Sequence, residues 1–371
     1  MRDTMGIIVT NDEQISPITE KRAISALPVA GRYRVIDFVL SGMTNAGITN
    51  VGVVTKSNYL SLMDHIKSGK AWDLDRKKQG LNILPPNLAK AYYGALSGNI
   101  DMLHGVRDYI RKSDQTYVIL SMGDYIYNID FDDICKKHVE SQADVTVVYK
   151  DMTGCEEKEL SRFTLLDIDE TGRVTDIEVK PYYPKTSYAG MDIYIMEKAL
   201  LESIIDECSA RGEHDFVKDA LAKKLNGLQI YGYKFDGFSS KIDSLKSYYD
   251  SNMNFLESKV RMEIFHSERP VYTKTKDLSP TKYGENASVK NSFISDGCII
   301  EGKVENSILS RGVKISEGAI VRNCIIMQDS VIDSGVTLDN VVFDKEVHIT
   351  KGRRLIGQKS YPLAIAKGTE I

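Results

Sequence analysis

The sequence predicts an α/β fold in two parts: a domain built on a doubly wound, mainly parallel sheet, followed by a coil of very short strands. Two observations support this. Up to about residue 250, short apolar stretches of strand length alternate with stretches of helical periodicity. After about residue 283, the helical period stops and aliphatic residues recur every six positions. A chain of 371 residues is also too long for one ordinary core, so two domains are expected.

Strand and helix patterns alternate along the first part in the order of βα units. The predicted elements are strands at Ile7–Val9, Val51–Thr55, Tyr117–Met122, Asp144–Tyr149 and Gly227–Phe235, with helices at Arg34–Ala46 and Asn99–Arg111. The third of these strands is apolar except for Ser121, which is typical of a central parallel strand buried on both faces. Arg162–Asp169 and Val174–Val179 flank a short turn and predict a small antiparallel insertion.

The second part contains a repeat. Four related tetrapeptides begin at Asn291, Asn306, Asn323 and Asn340, at spacings of 15, 17 and 17 residues. Steps of six residues that close after about 17 or 18 fit a three-sided coil, with one inward aliphatic side chain per side and small or polar residues at the corners. This pattern resembles the left-handed parallel β-helix of hexapeptide-repeat proteins. Such solenoids commonly associate with neighbours. Their acyltransferase sites use histidine, and the repeat has only His348, so an assembly and regulatory module is the favoured interpretation.

Composition and charge argue against several classes of function. The net charge of −4 and the pI near 6.0 give no electrostatic reason to expect nucleic acid or an anionic membrane as a partner. The sequence has no apolar run near the roughly 20 residues that span a bilayer and no signal-peptide pattern, so a cytoplasmic protein is expected. The 5 cysteines are scattered and form no CxxC pair, which suggests neither disulfides nor a zinc site.

Residues 6–38 combine a strand, a loop and a basic stretch that contains Gly31-Arg-Tyr-Arg34. This segment resembles the opening of the sugar-1-phosphate nucleotidyltransferases, which have a Rossmann-like (GT-A-like) domain. In that family a Gly-Gly-x-Gly-x-Arg-Leu loop presents backbone N–H groups that cradle the phosphates of the nucleotide. The matching positions here, roughly 9–15, hold no glycine and no arginine, and they carry Asp12 and Glu13 instead.

A second motif, at residues 118–130, places Gly123-Asp124 at the C-terminal end of a buried strand, where ligands bind in open α/β sheets. A single Asp after a strand can also be a helix cap. The surrounding pattern resembles the Ser-Gly-Asp-His-Ile-Tyr-x-Met-Asp motif of bacterial glucose-1-phosphate adenylyltransferases, with Tyr125 in place of His. The resemblance implies that Asp124 is a ligand of the catalytic Mg²⁺ of the family.

Two further motifs concern the sugar phosphate. Residues 176–181 are similar to the family's Phe-Val-Glu-Lys-Pro, which implies that Lys180 contacts glucose 1-phosphate; a solvated strand lysine is the alternative. Residues 189–194 match the family's Ser-Met-Gly-Ile-Tyr, but Asp192 stands where the family has glycine. A carboxylate there is expected to crowd or repel an anionic sugar phosphate.

Residues 238–253 depart from the family at its second metal carboxylate, because Lys241 stands in that place. A lysine cannot ligate Mg²⁺, and at about 4 Å its charge repels the ion by roughly 4 kcal/mol per unit of metal charge at an effective dielectric near 20. Asp243 is the alternative ligand if the strand shifts its register. The metal site is therefore expected to be incomplete, with Asp124 as its relic and Mg²⁺ binding weak or absent.

The nucleotide contacts of the family are altered as well. Tyr92–Gly98 replaces a segment that helps to hold the adenosine, and Ile24-Ser25 replaces a Lys-Pro pair. Taken together, these losses resemble the D-type subunits of glucose-1-phosphate adenylyltransferase, which pair with a catalytic subunit and modulate it. The resemblance implies a catalytically impaired regulatory subunit that supports ADP-glucose synthesis from ATP and glucose 1-phosphate in glycogen biosynthesis, within a heterotetramer that contains the catalytic subunit.

The Gly31–Arg34 motif is retained, and the family uses a basic residue there for its allosteric effector. The resemblance implies that Arg32 and Arg34 bind a sugar phosphate or a related anion between the two domains; interdomain salt bridges are an equal alternative. The predicted boundaries are a nucleotidyltransferase-like domain at 1–250, a connection at 251–283 and the β-helix at 284–371.

Other functions remain open at this stage. One is an active adenylyltransferase with a remodelled site, and another is a stand-alone sugar-phosphate sensor. A bifunctional uridylyl- and acetyltransferase joins the same two folds, but it ranks last because its β-helix is usually longer and its acyl site carries histidine.

Overall fold

The structure is a computed structural model that describes residues 3–85 and 98–371. Its first part is a mixed sheet with helices on its faces. The strands are β1 (Thr4–Val9), β2 (Pro28–Val29), β3 (Tyr33–Arg34), β4 (Asn50–Val54), β5 (Gly80–Leu84), β6 (Tyr117–Met122), β7 (Tyr125–Tyr127), β8 (Val145–Asp151), β9 (Thr164–Ile168), β10 (Val174–Val179), β11 (Tyr188–Glu197), β12 (Ile230–Lys234) and β13 (Ser239–Lys241). The α-helices are Val35–Asn45, Leu60–Ile66, Asn99–Gly105, Arg107–Lys112, Phe131–Glu140, Glu157–Leu160, Lys198–Arg211, Leu245–Asn254 and Ser258–Ile264.

The order of the strands brings the ends of several of them to one edge of the sheet. The main path is β10-β9-β11-β6-β1-β4-β5, and β8 joins β11 to β12. Strand β1 runs parallel to β4 and β6, and it is fully buried, as expected of a central strand. Strand β11 is antiparallel to β6 and to β8, so its start and the end of β8 lie at the edge where β1 and β6 end. Ligands bind at this edge in open α/β sheets.

The second part is the predicted left-handed parallel β-helix. Its strands are β14 (Lys282–Tyr283), β15 (Ser288–Lys290), β16 (Phe293–Ile294), β17 (Ile299–Ile300), β18 (Lys303–Glu305), β19 (Ile308–Leu309), β20 (Lys314–Ile315), β21 (Ile320–Arg322), β22 (Ile325–Ile326), β23 (Val331–Ile332), β24 (Thr337–Asp339), β25 (Val341–Phe343), β26 (His348–Ile349), β27 (Arg354–Ile356) and β28 (Leu363–Ile365). They form three parallel sheets of 5 strands each, which are the three sides of the coil. The inward aliphatic residues form one narrow core.

The repeated asparagines mark one corner of the coil. Asn291, Asn306, Asn323 and Asn340 have φ angles of 44°, 45°, 51° and 52°, in the left-handed region that asparagine tolerates better than most residues. The corner at Gly302, between β17 and β18, is two residues shorter than the corresponding corners of the later turns. Ile300 therefore pairs with Ile315, 15 residues on, whereas Tyr283 pairs with Ile300 and Ile315 pairs with Ile332, each 17 residues on. The 15-residue spacing in the sequence therefore reflects one tighter corner.

The two parts share a packed junction. A single hydrophobic cluster combines Phe38 and Phe255 of the first part with Ile325 and Val342 of the coil. A buried ion pair, Arg22 Nη1 to Asp344 Oδ1 at 2.8 Å, crosses the same junction, and each side chain is 4% exposed. The coil is thereby fixed to the sheet domain by both apolar packing and charge.

Two segments differ from the sequence-based expectations. The predicted helix Asn99–Arg111 is interrupted at Val106, whose φ of −113° and ψ of 10° are not helical. The helices Leu245–Asn254 and Ser258–Ile264 extend into the predicted connection at 251–283 and pack on the first domain, while the domain boundaries stay predictions. Among the helices of the described residues, none has the length and apolarity needed to cross a bilayer.

Candidate functional site

The candidate site lies at the sheet edge where β1 and β6 end. Gly123 N donates to Val9 O at 2.9 Å, which ties the turn after β6 to the end of β1. Asp124 follows, and only 2% of it is exposed. The two-stranded ribbon of β7 and β13 places Lys241 opposite Tyr125, and Ile242 N donates to Asp124 O at 2.8 Å. The structure therefore brings together the two positions that the sequence analysis assigned to metal binding.

Lys241 forms a close ion pair with Asp192. Its Nζ lies 2.7 Å from Asp192 Oδ2, and the two side chains are 14% and 16% exposed. The ammonium group also lies over two aromatic rings, 5.2 Å from the centroid of Tyr125 and 5.8 Å from that of Phe163. Asp192 has a φ of 54° and further contacts the hydroxyl group of Tyr194 at 3.4 Å. Asp192 and Lys241, which depart from the family in two separate motifs, therefore contact each other directly.

We call Asp124, Tyr125, Asp192 and Lys241 the Asp124 cluster. Burial acts to lower the pKa of Lys241, but Asp192, Tyr125 and Asp124 raise that pKa well above its usual value, so the amine is charged at neutral pH. Burial is also the main influence on Asp124, and it raises the pKa of that carboxyl group to about 6 in spite of the opposing attraction of Lys241. The cluster holds one stable cation and two carboxyl groups.

The residues present do not fit a Mg²⁺ site. Asp124 Oδ1 is buried without a hydrogen-bond partner, which alone would suit a ligand, but the neighbouring side chain is the Lys241 ammonium group. Asp243 does not supply the missing oxygen: both its oxygens contact Arg162, with Nε to Oδ2 at 3.0 Å, and Ser247 Oγ donates to Oδ1 at 3.1 Å. Across residues 3–85 and 98–371, no group of three or more His, Cys, Asp or Glu side chains could hold a metal.

The loop after β1 is organised by side chains instead of glycines. Asp12 Oδ2 accepts hydrogen bonds from Asn58 N at 2.9 Å and from Ser57 Oγ at 3.1 Å. Asn11 Oδ1 accepts from Glu13 N at 2.9 Å. These contacts hold the Asp12 carboxylate and the Asn11 amide in the loop where the family cradles phosphate, and the negative charge of Asp12 disfavours an anionic ligand there. Of the proposed adenosine segment Tyr92–Gly98, residues 92–97 lie outside the described part of the chain.

A cavity of about 680 Å³ lies beside the Asp124 cluster at the same sheet edge. It is lined by residues that include Tyr125, Phe163, Gly190 and Lys241, and by Lys359 of the coil. Lys180, the predicted contact to glucose 1-phosphate, is exposed at the end of β10 and is not part of this lining. Lys180 N nevertheless donates to O of Phe163, a residue of the lining, at 3.1 Å, so Lys180 lies beside the cavity and its contact with glucose 1-phosphate stays a prediction.

A second, smaller cavity, of about 50 Å³, lies at the junction of the domains and is strongly basic. Its lining includes six basic side chains, Arg32, Arg34, Lys274, Lys276, Arg311 and Lys345. Among the described residues, Lys274 is the one of these six that forms an ion pair, with Asp64 at 3.5 Å. Gly31 approaches the coil so closely that a Cβ atom would lie 2.5 Å from Ser295 Oγ, and its φ of 78° also favours glycine.

The two predicted arginines occupy this basic cavity but differ in exposure. Arg32 is exposed and contacts the ring and the hydroxyl group of Tyr33, with Nη2 to Oη at 3.1 Å. Arg34 is buried, and its Nη1 donates to Ser61 O at 2.7 Å. Neither forms a salt bridge within the described residues. Burial lowers the pKa of Arg34 to about 10, so the guanidinium group stays charged at neutral pH.

The remaining basic side chains of this cavity were not found from the sequence. Burial, together with Arg34 and Arg22, lowers the pKa of Lys345 to about 8. Arg311 Nε is buried without a hydrogen-bond partner. No local motif identifies these residues, because Arg311 and Lys345 belong to different turns of the coil. Only the spacing of the repeat, which stacks successive turns, could have suggested that they share a face.

Comparison with known proteins agrees with the fold. Residues 12–258 match the family described as Nucleotidyl transferase, and residues 277–360 match the one described as GlmU-like, C-terminal hexapeptide. Glycogen biosynthesis protein GlgD of Bacillus subtilis (strain 168) is 36% identical over 369 residues, which cover 98% of this chain and 96% of that protein. The glucose-1-phosphate adenylyltransferase of Clostridium perfringens (strain SM101 / Type A) is 33% identical, over 86% of this chain and 82% of that protein. The glucose-1-phosphate adenylyltransferase of Bacillus anthracis is 30% identical, over 94% of this chain and 92% of that protein.

These matches span both domains and define the class of proteins that join a nucleotidyl transferase domain to a hexapeptide-repeat β-helix. The chain belongs to the glucose-1-phosphate adenylyltransferase family, together with the GlgD protein that it resembles over nearly its whole length.

Proposed function

We propose that this chain is a regulatory, catalytically impaired subunit of glucose-1-phosphate adenylyltransferase, and that it supports ADP-glucose synthesis in glycogen biosynthesis. The observation that carries the proposal is the Lys241–Asp192 ion pair at 2.7 Å beside Asp124. Nucleotidyl transfer needs a cation held by carboxylates next to the reacting phosphates. An ammonium group fixed by its own carboxylate replaces that arrangement here.

Two further features support impaired chemistry. The loop after β1 presents Asp12 and Asn11 where the family binds the triphosphate, and negative charge there opposes the approach of a nucleotide. Asp243, the alternative metal ligand, is held by Arg162 and Ser247. An active site remodelled around Asp243 would have to break these contacts first.

The junction cavity supports the regulatory part of the proposal. Arg32, Arg34 and four other basic side chains face one small space, and an anion such as a sugar phosphate would relieve their mutual repulsion. Because the lining comes from both domains, a bound anion would tie the coil to the sheet domain. The site is therefore proposed to bind the allosteric effector of the enzyme.

The proposed partner is the catalytic subunit of the same enzyme, in a heterotetramer. The relatives that cover this chain carry the names of a glycogen biosynthesis protein and of glucose-1-phosphate adenylyltransferases, which supports a role alongside that enzyme in glycogen biosynthesis. The proposal predicts that the two chains co-purify and that the mixed complex differs from the catalytic subunit alone in rate or in activator response.

A co-expression experiment tests this. The catalytic subunit is purified with and without the present chain, and ADP-glucose formation is measured with Mg²⁺ over a range of sugar-phosphate activators. A changed rate or activator response supports the proposal, and loss of that change in Arg34→Met places the effect at the junction cavity. Separate elution of the two chains, with identical activity in the mixture, contradicts it and favours a stand-alone sensor.

A further inference from the structure

The Asp124 cluster is organised around a positive charge that belongs to the protein. Lys241 Nζ lies 2.7 Å from Asp192 Oδ2 and also contacts the rings of Tyr125 and Phe163. We propose that the Lys241 ammonium group is a resident cation that pairs with Asp192 and takes the place of a divalent metal beside Asp124, so that this cluster does not bind one. The proposal deepens the function proposed above, since any metal of a mixed complex would belong to the partner.

The ion pair joins separate elements of the fold. Lys241 comes from β13, Asp192 from β11 and Tyr125 from β7, so the ion pair joins the ribbon to the central sheet. Both charged side chains are largely buried, at 14% and 16% exposure. Removal of one partner from a buried pair leaves an uncompensated charge, whereas removal of both is much less harmful. The two residues therefore depend on each other.

The backbone of Asp192 has an unfavourable conformation. Its φ of 54° lies in the left-handed region, which is unfavourable for most residues other than glycine. Such a conformation persists where local contacts offset its energetic cost. The Asp192 carboxylate contacts Lys241 at 2.7 Å and the Tyr194 hydroxyl group at 3.4 Å. The ion pair with Lys241 therefore explains why an aspartate is kept at position 192 in spite of its unfavourable backbone conformation.

Within the described residues, Asp192 is the acidic neighbour of Asp124, and it is already paired with Lys241. Asp243 follows Lys241 closely in the chain, but Arg162 and Ser247 occupy its oxygens. The described part of the chain contains no group of three metal-ligating side chains. A divalent ion at Asp124 would therefore meet the Lys241 charge, and Asp192 could support the ion only by giving up its ion pair with Lys241.

The test measures Mn²⁺ binding to the full-length chain by electron paramagnetic resonance, together with melting temperatures in Mn²⁺ and in EDTA. The wild-type chain is expected to bind no Mn²⁺ and to melt at the same temperature in both. Lys241→Asp creates a site with three carboxylates, so its melting temperature in EDTA is expected to fall by about 5 °C. Mn²⁺ should reverse that loss, with one ion bound per chain.

Three further variants make the result specific. Lys246→Asp changes another lysine of the same cavity, which is 40% exposed and pairs with Asp250, and it should gain no Mn²⁺. Lys241→Met/Asp192→Asn removes both charges and should fold without gaining Mn²⁺. If Lys241→Asp does not fold, Lys241→Asp/Asp192→Gly decides instead, because it also relieves the strained backbone and should bind one ion.

One Mn²⁺ bound per wild-type chain, or a lower melting temperature of the wild type in EDTA, would overturn the inference. So would a folded Lys241→Asp chain, or a folded Lys241→Asp/Asp192→Gly chain, that gains no Mn²⁺. These measurements use the isolated chain, so they are independent of the co-expression assay. If the isolated chain binds no Mn²⁺ and also leaves the activity of the catalytic subunit unchanged, the proposed regulatory function is wrong. The inference about Lys241 then still holds.

Discussion

At the scale of single residues, the carboxyl group of Asp124 lies where burial disfavours its ionised form. The carboxyl group is 2% exposed, one oxygen has no hydrogen-bond partner, and its pKa is raised to about 6. An acid whose folded pKa lies above its unfolded value of about 4 costs stability once it ionises. That cost is absent below about pH 4, grows between pH 4 and 6, and is fully present at neutral pH.

Asp124→Asn is therefore expected to stabilise the chain at pH 7. The raised pKa corresponds to about 3 kcal/mol as an upper value, since one pKa unit equals about 1.4 kcal/mol. Urea unfolding measures the change, and the gain should vanish below about pH 4. Asp132→Asn, on the exposed side of a neighbouring helix, is the control and should have little effect. A destabilised Asp124→Asn chain would show that the carboxylate is held by favourable contacts.

Lys345 offers a second residue-level prediction, on anion binding. Its pKa is lowered to about 8 by burial and by Arg34, Arg22 and Lys276, while Asp344 acts in the opposite sense. The amine is thus charged at pH 7 and neutral well above pH 8. A bound anion favours the charged form, so anion affinity should fall as the pH rises through about 8.

Sulfate is a suitable probe, because its charge does not change over this range. Calorimetry at about pH 7 and about pH 9.5 should give weaker sulfate binding at the higher pH. The pH dependence should shrink in Lys345→Met and persist in Lys367→Met, a surface lysine that pairs with Glu346. Equal sulfate affinity at both pH values in the wild type would contradict the role assigned to Lys345.

At the scale of secondary-structure elements, the junction between the sheet domain and the coil depends on a buried charge pair. Arg22 and Asp344 lie 2.8 Å apart at 4% exposure, next to the apolar cluster that contains Phe255 and Val342. Tyr33 of the same apolar cluster and Lys345, which follows Asp344 in the chain, line the basic cavity. Stability of the junction and response to an anion are therefore expected to be linked.

Arg22→Met should destabilise the chain by about 3–5 kcal/mol, because it leaves Asp344 buried without its partner. Arg22→Met/Asp344→Asn should recover a large part of this loss, since neither charge then remains. Denaturant unfolding of both variants, with Lys367→Met as the surface-pair control, measures the difference. An additive loss in the double variant would indicate that the two side chains act independently.

At the scale of the whole molecule, the two-part fold could be predicted from the sequence. Both the alternation of strands and helices and the six-residue aliphatic repeat can be recognised in short stretches of the chain. The aliphatic steps of six residues need no distant partner to be recognised, and the buried strand Tyr117–Met122 has the bounds that its apolar run suggests. The break of the helix at Val106 was missed, since its apolar pattern continues across the interruption.

The site was only partly predictable, for a physical reason. Asp124 and Lys241 could be identified one by one from their motifs. The ion pair of Lys241 with Asp192 could not, because the two residues lie 49 positions apart and meet through the pairing of strands. The basic cavity likewise combines Arg34 with side chains of the coil, such as Arg311 and Lys345, that are remote in sequence.

The most direct test of the account is the rate of ADP-glucose formation by the purified chain alone, from ATP and glucose 1-phosphate with Mg²⁺. Because Lys241 occupies the place of a metal ligand and Asp243 is held by Arg162, we predict no turnover above that of a parallel Asp124→Ala preparation. Robust turnover that Asp124→Ala abolishes would contradict the account, and it would mean that this chain assembles a working metal site from other residues.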